Sequence, residues 1–143
     1  MRTIITCLLS LLTFSSNAQP RELQGTWIPS RQEMGGKALP PAAFERQRLI
    51  LADSTYTTIA ESVDKGIVKY NGDKMDIYGR EGVNAGKHFT AIYKCNVEEL
   101  IICYNLKGDS YPTSFTTSGD PLLFVSVFKK QPGVRHYRNK AKE

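Results

Sequence analysis

Residues 54–78 read S-T-Y-T-T-I-A-E-S-V-D-K-G-I-V-K-Y-N-G-D-K-M-D-I-Y, and they hold three short extended segments in succession. The first, 54–59, is rich in β-branched Thr and Ile around Tyr56, the residue types that suit a pleated, half-buried surface. Val63-Asp64-Lys65-Gly66 then gives a turn signal, 66–70 a second strand, and Asn71-Gly72-Asp73 a break before a third strand at 74–78. Asn71 and Gly72 are neighbours that both tolerate positive φ, so a tight hairpin turn is expected on that pair. Strands joined this closely run antiparallel, because a parallel pair needs a crossover of about a dozen residues or more.

The same rhythm continues in both directions. Further strands are expected at 22–29, 46–52, 87–95, 100–105 and 122–128, which makes eight. Turn signals at Ala52-Asp53, 79–86, 96–99 and Lys107-Gly108-Asp109 separate them. The one departure is 39–45, where Pro40-Pro41 precedes Ala42-Ala43-Phe44; a short helical turn opening on a proline fits, since the missing N–H costs nothing there. Beyond residue 18 no stretch sustains a 3.6-residue period, which excludes a helical bundle and a βαβ fold. The expected fold is an all-β, antiparallel up-and-down barrel, with 122–128 pairing back onto 22–29. An open β-sandwich, lacking that closure, is the alternative.

The 143-residue chain has room for one such domain. Residues 1–18 read as a secretory signal: Arg2, an apolar run of 11 residues at 4–14, and Ser16 and Ala18 as the small residues before Gln19. The run is too short to span a bilayer, and its only cysteine, Cys7, lies inside it rather than after it, so soluble export to periplasm or medium is expected. Residues 19–130 then form the barrel and 131–143 a basic tail. The formal charge of +5 is misleading: 19–128 hold 12 Lys and Arg against 13 Asp and Glu, while 129–143 alone carry a net of +5. No basic patch interleaved with aromatics occurs in the body, which leaves nucleic-acid binding without support. The tail could meet an anionic envelope surface or a protein partner, or be a short solvated extension.

Catalytic spacings are absent from the sequence. The stretch 82–87 fails the P-loop pattern, since Glu81 stands where glycine is needed and His88 follows Lys87, so it reads as a glycine-rich turn. His88 and His136 lie far apart without metal-ligand spacing, no G-x-S-x-G elbow exists, and Asp73 and Asp76 read as solvated hairpin charges. No metal or cofactor site is therefore expected. Cys95 and Cys103 flank a hairpin; with a four-residue connection, 95 faces 100 and 103 faces 92, so the sulfurs point to opposite faces and two buried free thiols are expected.

Gly25-Thr26-Trp27 resembles the first motif of the lipocalin and calycin barrels, in which the tryptophan seals the closed end beneath a basic side chain from the last strand. The resemblance implies that Gly25 and Trp27 close the barrel with Lys129 or Lys130, and a cation over an indole face is a sound pairing. Together with Gly82-Val83-Asn84-Ala85-Gly86-Lys87, Ala91-Ile92-Tyr93-Lys94, Leu100-Ile101-Ile102-Cys103-Tyr104 and Pro112-Thr113-Ser114-Phe115, the order and spacing from 22 to 130 resemble a family of small exported lipocalin-like bacterial domains abundant in planctomycetes. That family often has arginine where Tyr111 stands, and, unlike classical lipocalins, no helix is expected after the barrel, since Pro132-Gly133 interrupts a short polar tail. The resemblance implies a fold and no reaction.

In an eight-strand barrel alternate side chains point inward, and Tyr56, Tyr70, Tyr78, Phe89, Tyr93, Tyr104 and Phe124 are the candidate wall of a cavity for a small apolar or amphipathic ligand, with Phe128 beside them. Non-catalytic binding is the first functional expectation. The alternative is a solid barrel whose loops or tail contact a protein or the envelope, and an enzyme comes third. Deleting residues 131–143 is expected to leave the melting temperature almost unchanged; a large drop in a thermal melt would contradict the reading of the tail as a solvated extension.

Overall fold

The computed structural model describes residues 20–133, so the signal reading of 1–18 and the tail beyond Gly133 lie outside the described residues. A short 3₁₀ turn at Arg21–Leu23 leads into β1 (Gly25–Met34), β2 (Lys37–Ala38), a second 3₁₀ turn at Pro41–Ala43, β3 (Arg48–Ala52), β4 (Thr55–Ile59), β5 (Val63–Asn71), β6 (Lys74–Glu81), β7 (His88–Cys95), β8 (Glu99–Asn105) and β9 (Leu123–Lys130). From β3 to β9 each strand pairs antiparallel with the next, β1 pairs with β3, and β1 also pairs with β9. Eight strands thus close into an up-and-down barrel, and β2 is a two-residue ribbon attached to β1. Closure removes the exposed edges an open sandwich would keep. Among the described residues no helix is long and apolar enough to cross a membrane.

The closing ladder runs from Trp27 opposite Lys130 to Met34 opposite Phe124, and the Gln131 N–H extends it by donating to the Thr26 carbonyl at 2.8 Å. β1 therefore reaches five residues past the expected end at Pro29. It passes the proline with a bulge: Pro29 faces Phe128, Arg31 faces Val127, and Ser30 is the extra residue, its Oγ donating to the Val127 carbonyl at 3.2 Å. A bulge is where a strand tolerates a proline without an N–H. The β5–β6 turn is also shifted by one residue from expectation. Asn71 pairs with Lys74, so Gly72 and Asp73 are the central pair and Gly72 alone carries positive φ, at 60°.

Alternation along the strands fills the interior with Trp27, Leu49, Leu51, Tyr56, Val68, Tyr70, Met75, Ile77, Ala91, Leu100, Ile102 and Phe128. At one end Trp27 is fully buried, and its indole N–H donates to the Leu23 carbonyl at 2.9 Å. The Lys130 ammonium lies 5.1 Å from the indole centroid and donates to the Glu22 carbonyl at 3.2 Å. Lys129 points outward to Glu99, Nζ to Oε2 at 2.6 Å, so Lys130 and not Lys129 is the cation over the tryptophan. A side chain at Gly25 would press on Lys130, its Cβ falling 3.1 Å from Cε.

A second, smaller core lies on the outside of the barrel. Ile92, Cys103, Val125 and Val127 face outward from β7, β8 and β9 and are covered by Tyr111 and Phe115 from the 106–122 segment. That segment is fastened at both ends of its span. The Tyr111 hydroxyl donates to Asp76 Oδ2 at 2.5 Å, and the Thr117 hydroxyl donates to Glu33 while accepting the Gly36 N–H. Cys103 belongs to this outer core and Cys95 to the edge of the inner one, with Cys95 opposite Leu100 and Ile92 opposite Cys103. Both thiols are free and on opposite faces; burial, with Glu33 adding, pushes the Cys103 thiol up to about 11.

Trp27→Ala should cost roughly 3–5 kcal/mol in chemical denaturation, the usual cost of emptying a fully buried aromatic site. A loss near zero would contradict its role as the plug.

Candidate functional site

The half of the barrel away from Trp27 is hollow. A cavity of about 470 Å³ is lined on its walls by Leu49, Leu51, Val68, Met75, Ile77 and Ile102 and near its mouth by Gln32, Gln47, Arg48, Asp64, Asn84 and Lys87. The floor is Phe128 and the packed side chains beneath it. The volume falls within the roughly 300–1,000 Å³ of small-molecule sites, and an apolar wall with a few polar groups at the entrance is their usual composition.

Of the aromatics expected to line a cavity, Tyr56, Phe89, Tyr104 and Phe124 do so, with Phe128. Tyr104 and Phe124 stack at 5.6 Å between centroids. Tyr70 and Tyr93 point inward but toward the plugged end, where they meet edge to face at 6.1 Å and the Tyr93 hydroxyl donates to the Gly72 carbonyl at 3.0 Å; they are core rather than wall. Tyr78 is on the outer face, because Ile77 takes the inward position. It stacks on His88 at 4.5 Å with Lys69 above its ring.

The neighbours of Tyr78 also correct the reading of Asp76 as a solvated charge. One carboxylate oxygen meets His88 Nε2 at 2.8 Å and the other takes the Tyr111 hydroxyl. The group ties the 106–122 segment to the barrel wall, and Tyr111 supplies the bond. That hydrogen bond is the main reason the Tyr111 phenol is held above its ordinary value. Among the described residues no three His, Cys, Asp or Glu side chains converge as metal ligands, and His136 lies outside them.

The mouth is built by two devices. The first is the 82–87 turn, which is exposed but folds back over β6. Gly79 N–H donates to the Lys87 carbonyl at 2.9 Å and Gly86 N–H to the Gly79 carbonyl at 3.0 Å. Gly79 permits this approach, since a Cβ there would fall 1.8 Å from the Asn84 carbonyl oxygen. Asn84 then donates to Asp64 twice, from its backbone N–H to Oδ1 at 3.1 Å and from Nδ2 to Oδ2 at 2.5 Å. The second device spans the gap between β1 and β3, whose backbone pairing stops after Trp27 and Leu49. Gln32 Nε2 bridges it by donating to Gln47 Oε1 at 2.9 Å and to Ser126 Oγ at 3.2 Å.

Asp64, Asn84, Gln32 and Gln47 were not singled out in the sequence. A signal for Asp64 was present: counting back by twos from Tyr70 through Val68 and Gly66 puts it on the inward face of β5, where a carboxylate is out of place. Composition alone starts the strand at Gly66 and puts Asp64 in a turn, whereas β5 begins at Val63. Nothing local marks Asn84 or the two glutamines, because their positions depend on where loops return.

No protein-family model, no curated protein and no solved structure matches this chain.

Burial pushes the Tyr56 phenol up to about 12, with the Asp64 charge adding, and raises the Tyr104 phenol as well. The unfolded chain releases these protons near pH 10, before the folded one does, so stability from them is intact below about pH 10 and falls as pH climbs toward 12. Denaturation across that range should show the decline, and Tyr56→Phe should make it shallower; an identical slope in the variant would show that Tyr56 does not contribute.

Proposed function

We propose that this chain is an exported lipocalin-like barrel that binds a small apolar or amphipathic molecule without chemical conversion, in the mouth half of the barrel. The observation that carries this reading is the cavity of about 470 Å³ above a sealed floor. In a barrel of this strand number, side chains can fill the interior completely. Here the plugged half is filled and the other half is not. Support for the lipocalin-like character comes from Lys130 over Trp27 beside Gly25, the arrangement implied by the resemblance of Gly25-Thr26-Trp27 to the first lipocalin motif. Export rests on the signal-like pattern of residues 1–18.

The polar groups at the entrance are engaged with one another, Gln32 with Gln47 and Asp64 with Asn84. Such groups orient a ligand more readily than they attack one.

An environment-sensitive apolar dye should bind the whole chain saturably and be displaced competitively by amphiphiles, and native mass spectrometry of protein from its exported fraction should show excess small-molecule mass. Ile77→Phe, which adds bulk to the wall, should weaken the dye by about tenfold or more. No saturable signal from the unaltered chain would overturn the binding reading and favour a barrel that acts through its outer surface.

A further inference from the structure

The cavity wall carries one buried carboxylate, and its surroundings specify the ligand's head group. Asp64 is 6% exposed, lies on the inward face of β5 and lines the cavity near its mouth. Its protein partners are neutral: both hydrogen bonds it accepts come from Asn84. Among the described residues no lysine, arginine or histidine forms an ion pair with it. The two cations at the same entrance are turned elsewhere. Arg48 donates to the carbonyls of Glu45 and Gln47, at 3.3 and 2.6 Å, and Lys87 reaches only the far side of Asn84, Nζ to Oδ1 at 3.5 Å.

A carboxylate has about four acceptor positions, and Asn84 occupies two. Neutral donors satisfy hydrogen bonding but do not cancel charge, and a buried charge that lacks a counter-charge is costly. Deeper in the same cavity stand Val68, Met75 and Ile77, which offer an apolar surface below the acid.

We propose, resting on the binding reading above, that the ligand is an amphipathic amine, with its ammonium group against Asp64 and its hydrocarbon part on the Val68, Met75 and Ile77 wall. The fixed 82–87 turn holds the acid in place through Asn84, so the site is formed before the ligand arrives. An amphipathic carboxylate of the same size has to bring a like charge to Asp64 and is selected against.

The test uses decylamine, decanol and decanoate, which share a tail and differ in charge, as competitors of the apolar dye on the whole chain. Decylamine should displace the dye at a concentration about tenfold lower than decanol, with decanoate weakest. Asp64→Asn should erase the preference for decylamine over decanol, and saturable binding of the dye to the variant reports that the cavity survives. Decanoate binding as tightly as decylamine, in a chain that binds decanol, would overturn the amine proposal and leave the cavity reading standing. Failure of all three to displace the dye would overturn both. Where Asp64→Asn loses the dye as well, Lys87→Gln decides: removing the nearby like charge should strengthen decylamine relative to decanol, and an unchanged or weaker relative affinity overturns the proposal.

Discussion

The backbone ladder between β1 and β9 is the constraint on which the rest of this molecule depends. It converts a meander with two open edges into a ring, and the ring creates an inside. Trp27 sits at the first step of that ladder, opposite the residue whose ammonium covers it. The plug and the closure are therefore one structure: losing the register between Trp27 and Lys130 would displace the cation from the indole and open the bottom of the barrel together. The hollow half exists because the other half is sealed.

Most of the barrel is legible in the sequence because short strands announce themselves by composition and by the turns between them. The 87–95 and 100–105 strands are found within a residue, the 74–78 strand starts where expected and runs on to Glu81, and the orientation of Cys95 against Cys103 follows from a correct loop length at 96–99. Pro29 misleads, because a proline usually ends an interior strand; here the bulge at Ser30 lets β1 continue to Met34. Asn71-Gly72 misleads by one residue, since either Asn-Gly or Gly-Asp can form the centre of a two-residue turn and cross-strand packing decides.

The candidate site is less legible, and the reason is physical. Period-two alternation tells which side chains share a face but not how far along the barrel axis each one sits. Tyr70 and Tyr56 both point inward from neighbouring strands, yet one packs at the plugged end and the other lines the hollow. Tyr78 fails on phase alone. The outer core carries a sequence signal of another kind: Leu100-Ile101-Ile102-Cys103 is apolar on both faces, as a strand covered on both sides must be. The cover itself, Tyr111 and Phe115, comes from a segment with no regular structure and no period to read.

The seam between β1 and β3 gives the mouth a mechanical asymmetry. Around the rest of the barrel, neighbouring strands are held to each other by backbone bonds that must break in series before they part. Between Gln32 and Gln47 the wall is held by side-chain amides, with the short turn at Pro41–Ala43 leading into β3 behind it. Beyond Trp27 and Leu49 that side-chain bond stands where strand pairing has stopped, so the rim is unevenly held. Asp64 and Asn84 stand apart from that seam, on β5 and the turn after β6. The Asp64–Asn84 bonds therefore do not depend on the part of the rim that lacks strand pairing.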